Sequence, residues 1–334
     1  MSRGLQQPVE SFRDAVLRGL ALPNKSIPSR FFYDSVGSML FERITTLDEY
    51  YPTRTELSIL QQRAGEIAAR LGSGVRLIEF GSGSGVKTRL LLDALRAPSS
   101  YVPIDISAEL LEHQARSVAE AYPDLLVQPH HADFSSAFRP PAEPQPSSRT
   151  VVFFPGSTLG NFTAEAAQVF LRRAAELCGA GGRMVLGIDP FPAVPVPQPL
   201  RHKREADVLA AYDDVAGVTA AFNRNLLVRM RRELGAEVDP EAFSFVPRYD
   251  ARCNRIESYL VSQRAQHIGV DGQVFTFRAG EAIHTENSHK YDPNRPDQLI
   301  AGTGFRVATD GLFTDRDGWF LVVLLEVVGD GSGR

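Results

Sequence analysis

The chain has 334 residues, 43% of them hydrophobic and 23% charged, the balance of an ordinary soluble globular protein long enough for two domains. With 36 basic against 40 acidic side chains the net charge is −4, so no global field favours nucleic acid. Cys178 and Cys253 are far apart and in no metal spacing, and the seven histidines form no H-x-x-x-H or His/Cys cluster; no metal is expected, and a reducing cytoplasm is.

Met1 to Leu20 alternates charge with apolar residues and lacks the apolar core of a signal peptide. Phe12, Val16 and Leu20 fall at helical spacing and predict a short helix closed before Pro23. Ser26–Pro52, rich in aromatic and small residues without clean periodicity, reads as loop with helical turns. A helix is predicted from Thr53: Thr53-x-x-Glu56 has the form of a capping box, and Leu57, Leu60, Ala64, Ile67 and Leu71 make one apolar face before Gly72.

Leu77–Phe80 is an apolar strand that runs into Gly81-Ser82-Gly83-Ser84-Gly85 and then a helix, Lys87–Leu95. Glycine suits a turn where backbone bends sharply or approaches a ligand, and the following helix aims free N–H groups at that ligand. A dinucleotide fingerprint needs a glycine where Val86 stands. G-x-G-x-G preceded by Glu79 is instead the form typical of S-adenosylmethionine-dependent methyltransferases. A second strand, Tyr101–Ile104, ends in Asp105, placed to accept from both ribose hydroxyls. Pro103 within it is a mild objection, and Ser107 can cap the helix Ala108–Tyr122 that follows. A third strand near Leu125–Gln128 leads to Asp133 for the adenine amine and Phe134 for the adenine face.

Pro140, Pro141, Pro144 and Pro146 mark an exposed loop before a fourth strand, Thr150–Phe154, a helix, Thr163–Leu177, and a fifth strand, Met184–Ile188. This alternation implies an α/β fold with a doubly wound, mostly parallel sheet of Rossmann-like type. Five prolines between Pro190 and Pro199 mark a domain crossing, and Arg201-His202-Lys203-Arg204 reads as a solvated helix start of a helical stretch to Leu234. Strand-like runs at Arg255–Ser262 and Val274–Phe277 suit an antiparallel hairpin. Asp297–Val328 reads as helix, strand, short turn and long strand, the way methyltransferase sheets usually close with an antiparallel last strand; Trp319–Val328 is too short to span a bilayer. The expected division is 57–196 with 287–334 as the methyltransferase domain, and 1–56 with 197–286 as a smaller α+β substrate lobe.

Five sequence blocks are informative together. They are Phe32-Tyr33-Asp34-Ser35-Val36-Gly37-Ser38-Met39-Leu40-Phe41 with Leu47-Asp48-Glu49-Tyr50-Tyr51-Pro52-Thr53-Arg54, then Phe154–Phe162, Ala211–Asp214 and Thr285–Tyr291. In this order they closely resemble the histidine-specific Nα-methyltransferases of ergothioneine biosynthesis, across nearly the whole chain. The resemblance implies S-adenosylmethionine as cofactor and trimethylation of the L-histidine α-amino group to hercynine. It implies Tyr33 and Asn161 as the catalytic pair, with Asn161 and Tyr212 on the substrate carboxylate and Tyr33 and the Gly156 carbonyl facing the amine. Tyr50, Glu286 and Ser288 would address the imidazole, while Phe41 and Thr219 line the pocket. Gly81, Gly83, Lys87, Asp105, Asp133 and Phe134 would hold the cofactor.

Two residues depart from the family pattern: Ser258 stands where methionine is usual, and Asn287 where a small apolar residue is common. Both bear on ring selectivity. The alternatives are Nα-methylation of tryptophan or a modified histidine, and a non-catalytic S-adenosylmethionine sensor. The small-molecule reading carries no nucleic-acid, membrane or obligate protein partner; the Asn/Asp-Pro-Pro-Tyr loop of base-amine methylation is absent after the fourth strand.

Overall fold

The computed structural model describes residues 10–134, 140–142 and 147–328, so Pro144 and Pro146 and the first nine residues lie outside the described residues. The chain separates into two units. The larger holds Pro52–Lys203 and the described residues from Lys290 onward; the smaller holds the described residues up to Tyr51 and Arg204–His289.

Helix α1 (Phe12–Ala21) is capped by Ser11, whose hydroxyl accepts from the Asp14 N–H, and it buries Phe12, Ala15, Val16 and Leu20. Where the sequence reads as loop with helical turns, the chain forms a full helix, α2 (Ser35–Thr45). The Asp34 carboxylate caps it by accepting from the Gly37 N–H at 2.7 Å. Only Gly37 and Ile44 of α2 are buried, too few for a periodic apolar signal.

Helix α3 (Tyr51–Leu71) begins before Thr53, with Pro52 in the first turn, where its missing N–H costs no bond. The expected capping box does not form. Glu56 lies instead on the buried face with Ile59, Leu60, Ile67 and Leu71.

From there the chain alternates: β1 (Val75–Phe80), α4 (Val86–Ala94), β2 (Ser100–Asp105), α5 (Ala108–Ala121), the short β3 (Leu126–Val127) and β4 (His130–His131), β5 (Arg149–Phe154), α6 (Ala164–Cys178) and β6 (Arg183–Ile188). Pro103 falls in the gap between the β2–β3 and β2–β4 pairings, so its missing donor breaks no ladder there. Ser107 stands at the N-cap of α5 without a side-chain cap bond; its backbone N–H donates to Asp105 instead, at 2.9 Å.

The smaller unit continues with α7 (Glu205–Ala210) and α8 (Val218–Leu234), then β7 (Phe243–Asp250), β8 (Arg255–Ser262), β9 (Gln266–Val270), β10 (Gln273–Phe277) and β11 (Ala282–His289). The expected hairpin between Arg255–Ser262 and Val274–Phe277 is not formed. Strand β8 lies between β7 and β11, and β10 pairs with β9. The alternating burial of β8 fixes its register between two partners and requires a covered face, which a lone hairpin does not supply.

Back in the larger unit, α9 (Pro296–Ile300), β12 (Phe305–Thr314) and β13 (Leu321–Val327) complete the sheet. The order is β12-β13-β6-β5-β1-β2-β3, with β4 also on β2. β1, β2, β5 and β6 are parallel, and β13 runs antiparallel to β6. Successive residues of one strand feed opposite faces: Ile78, Val152 and Phe154 pack with Phe170 and Leu171 of α6, while Leu77, Val151 and Phe153 pack with Leu60 of α3 and Leu91 of α4. This is the doubly wound Rossmann-like sheet that the alternation predicts, and its last strand is antiparallel.

Candidate active site

At the carboxyl end of β1 the backbone turns through Gly81 (φ +72°), Gly83 (+48°) and Gly85 (+71°), the left-handed region that side chains disfavour. Nothing stands within 4 Å of where a Cβ on Gly83 would lie, and only the Phe134 ring, at 3.9 Å, near one on Gly81, whereas one on Gly85 would meet Gln114 Oε1 at 2.6 Å. The turn is thus open at Gly81 and Gly83, at the strand end where open α/β sheets bind ligands. Beneath it Glu79 is buried: the Thr88 hydroxyl lies 2.9 and 2.8 Å from its two oxygens and the Tyr101 hydroxyl 2.5 Å from one. Burial pushes the Glu79 carboxyl up to about 8 against those hydrogen bonds.

Asp105 ends β2 and is 8% exposed. Burial raises its carboxyl above the usual range, opposed by the backbone N–H groups of Ser107, Gly83, Ile106 and Ser82. The Phe134 ring packs 5.6 Å from both Phe80 and Phe154, with Asp133 beside it in the chain. The open glycine turn, a carboxylate at the next strand end and an aromatic face are the parts an adenosyl group needs.

Past β5 the backbone takes left-handed geometry twice, at Gly156 (+82°) and Ser157 (+56°), before a 3-10 turn, Thr158–Asn161. The Ser157 hydroxyl accepts from the Asp189 N–H at 2.9 Å. Lys87, in the first turn of α4, pairs with Glu56 at 2.5 Å. Glu56 also accepts the Gly156 N–H on both oxygens, at 3.0 and 2.9 Å.

Lys203 does not belong to a solvated helix start. Its ammonium is buried and bonds the Asp189 carboxylate and, at 2.6 and 2.9 Å, the carbonyls of Pro190 and Trp319. Lys290 reaches the other Asp189 oxygen at 2.7 Å. Burial raises the Asp189 carboxyl, but the two ammonium groups outweigh it and hold it below the usual range.

In the smaller unit the expected substrate residues assemble around α8. The Tyr33 ring stands edge-on to Phe41 at 5.6 Å and to Phe222 at 5.7 Å; Phe41 continues to Tyr50 at 6.3 Å, and Tyr50 to Tyr212 at 6.2 Å. The Tyr212 and Ser288 hydroxyls are 2.6 Å apart, which joins two groups expected at opposite ends of a substrate. Glu286 and Ser258 are cross-strand partners on β11 and β8, and Ser288 faces Ile256 in the same register. The Ser258 hydroxyl is buried without a hydrogen-bond partner. Thr219 lies in the first turn of α8, one helical turn before Phe222.

Asp34 and Asp214, which hold this cluster, lie in two of the sequence blocks but had no role assigned from the sequence. Asp34 accepts from Asn225 at 2.8 Å and Arg232 at 2.5 Å, fixing the backbone next to Tyr33. Burial raises the Asp34 carboxyl, but Arg232, the Gly37 N–H and Asn225 hold it below the usual range. Asp214 accepts the Val218 and Thr219 N–H groups, both at 2.8 Å, and so caps α8 behind Gly217. An acidic residue four positions before an apolar helix was the available signal.

The fold, the glycine turn and the family matched over residues 12–327 together define a Rossmann-like, S-adenosylmethionine-dependent methyltransferase. Residues 12–327 match the family described as "Histidine-specific methyltransferase, SAM-dependent", and the chain belongs to that family. It is 39% identical over 303 residues to the histidine N-alpha-methyltransferase of Mycolicibacterium smegmatis, covering 89% of each chain. Against the histidine N-alpha-methyltransferase of Mycobacterium tuberculosis it is 38% identical over 299 residues, 88% of each. It also matches ergothioneine biosynthesis protein 1 of Neurospora crassa, 28% identical over 311 residues, 89% of this chain and 33% of that one. Among the described residues no helix is long and apolar enough to cross a membrane.

Proposed function

We propose that the protein methylates the α-amino nitrogen of free L-histidine, through successive transfers to hercynine, the first step of ergothioneine biosynthesis. The observation that carries the substrate assignment is the polar group on the β8–β11 sheet: Glu286 beside Ser258, with Ser288 bonded to Tyr212, next to the aromatic run from Tyr33 to Tyr50. S-Adenosylmethionine supplies a methyl carbon activated on a sulfonium.

Transfer from a sulfonium is an in-line displacement, so the protein's task is positioning. Gly81 and Gly83 would let the donor come close to the protein backbone, Asp105 would accept from the ribose hydroxyls, and Asp133 and Phe134 would take the adenine edge and face. Lys87, held by Glu56, would face the donor's carboxylate. In the same unit Gly156 would offer its carbonyl to the amine and Asn161 its amide to the substrate carboxylate.

In the smaller unit Tyr33 would orient the amine's lone pair and Tyr212 would serve the carboxylate. Glu286 would accept an imidazole N–H, and Ser288 would complement the other ring nitrogen. A polar pair matched to one ring rejects rings that leave it unpaired, which disfavours indole. Phe41, Tyr50 and Thr219 would close the site around the ring, and Ser258 adds a hydroxyl beside it. Small-molecule chemistry of this kind, with two free cysteines, suits the cytoplasm. Isotope-labelled donor offered with a panel of amino acids, read by product mass, tests the proposal. Label on histidine alone supports it, and label on another amino acid in preference contradicts it.

A further inference from the structure

We propose that Glu56 is a positioning residue of methyl transfer, its buried carboxylate setting the Lys87 ammonium and the Gly156 backbone together. The inference rests on the functional reading above, which gives those two groups their roles. Glu56 is 1% exposed. It receives the Gly156 N–H on both oxygens, at 3.0 and 2.9 Å, and the Lys87 ammonium at 2.5 Å.

The fold makes room for this carboxylate. A Cβ on Gly187, inside β6, would stand 2.1 Å from Glu56 Oε1 and 3.2 Å from the Gly156 nitrogen, so glycine at this position leaves the carboxylate its place. Lys87 needs it for a second reason. An ammonium in the first turn of α4 opposes the helix dipole, and a facing carboxylate offsets that repulsion.

Replacing a buried ion pair by well-packed apolar side chains is often neutral or stabilising, so geometry is the property that this pair supplies. The Gly156 N–H, in the preceding peptide, is held by Glu56 and the Ser157 side chain by the Asp189 N–H, so the residues on both sides of the Gly156–Ser157 peptide are anchored. That peptide's carbonyl is the one assigned to the amine. The same carboxylate thus governs a donor contact and a substrate contact, through two partners far apart in sequence.

The test compares Glu56→Gln and Glu56→Asp with the parent protein. S-Adenosylhomocysteine affinity is read by calorimetry, histidine kcat and KM by turnover, and folding by thermal unfolding. Glu56→Gln keeps the shape but sets an amide N–H₂ against two donors. The expected result is a folded protein with S-adenosylhomocysteine Kd raised about fivefold or more and kcat lowered about tenfold or more, with histidine KM moved much less. Glu56→Asp is expected to recover the affinity in part while kcat stays low, because it keeps the charge and shortens the reach. Parent-like affinity and kcat in a folded Glu56→Gln overturn the proposal, and so does parent-like behaviour of Glu56→Asp if Glu56→Gln does not fold. Failure of both to fold makes Glu56 a structural residue and equally overturns it. A parent protein that binds S-adenosylhomocysteine yet never labels histidine contradicts the functional reading instead, and leaves the affinity comparison intact.

Discussion

Glu286 is a carboxylate on a strand, half-buried, opposite a hydroxyl that has no partner of its own. On the proposed reading it makes a charge-assisted bond to imidazole, and Glu286→Ala is expected to weaken histidine binding by about 2–4 kcal/mol. Calorimetry at fixed pH reads this, and unchanged affinity counts against Glu286 as the ring partner. Asp105→Ala is expected to abolish S-adenosylmethionine binding without altering thermal unfolding; retained affinity contradicts the ribose assignment. Both residues were candidates from the sequence, one through its family block and one through its place at a strand end. Glu56 was not, since its partners Gly156 and Gly187 are distant in the chain. A carboxylate in line with Ile59, Leu60 and Ile67 was the one available sign, and the capping-box pattern obscured it.

At the scale of elements, the strands of the large sheet were readable because alternation with helices left them little choice of partner. Helix α2 and the pairing of β8 were not, because short amphipathic segments take their form from what covers them. The Glu79–Thr88–Tyr101 cluster ties β1, α4 and β2 at the glycine turn. A carboxyl raised from 4.5 to about 8 in the folded state binds more protons folded than unfolded between those values. Its contribution to stability is therefore complete below about pH 4.5 and declines as pH rises toward about 8. Glu79→Gln should lose less stability than the parent between pH 5 and pH 8, by more than about 1 kcal/mol in denaturant titrations. Parallel curves would show that Glu79 is ionised throughout.

For the whole molecule, the chain leaves the larger unit after Lys203 and re-enters it at Lys290. Both lysines converge on Asp189, so one buried carboxylate fixes the two ends of the excursion. Sequence reading could not find this, because Lys203 sits in a basic run that resembles a solvated face. Asp189→Ala would leave two ammonium groups buried without their counter-charge, and a loss of about 3–5 kcal/mol is expected in chemical unfolding. A loss within about 0.5 kcal/mol would mean that water or the Pro190 and Trp319 carbonyls suffice.

Transfer of a methyl group to the α-nitrogen of free histidine is read directly by mass spectrometry of the product formed from a methyl-labelled donor. Labelled hercynine, with the imidazole unmodified, is the predicted product. Label on the ring nitrogens, or on another amino acid in preference to histidine, would contradict the account.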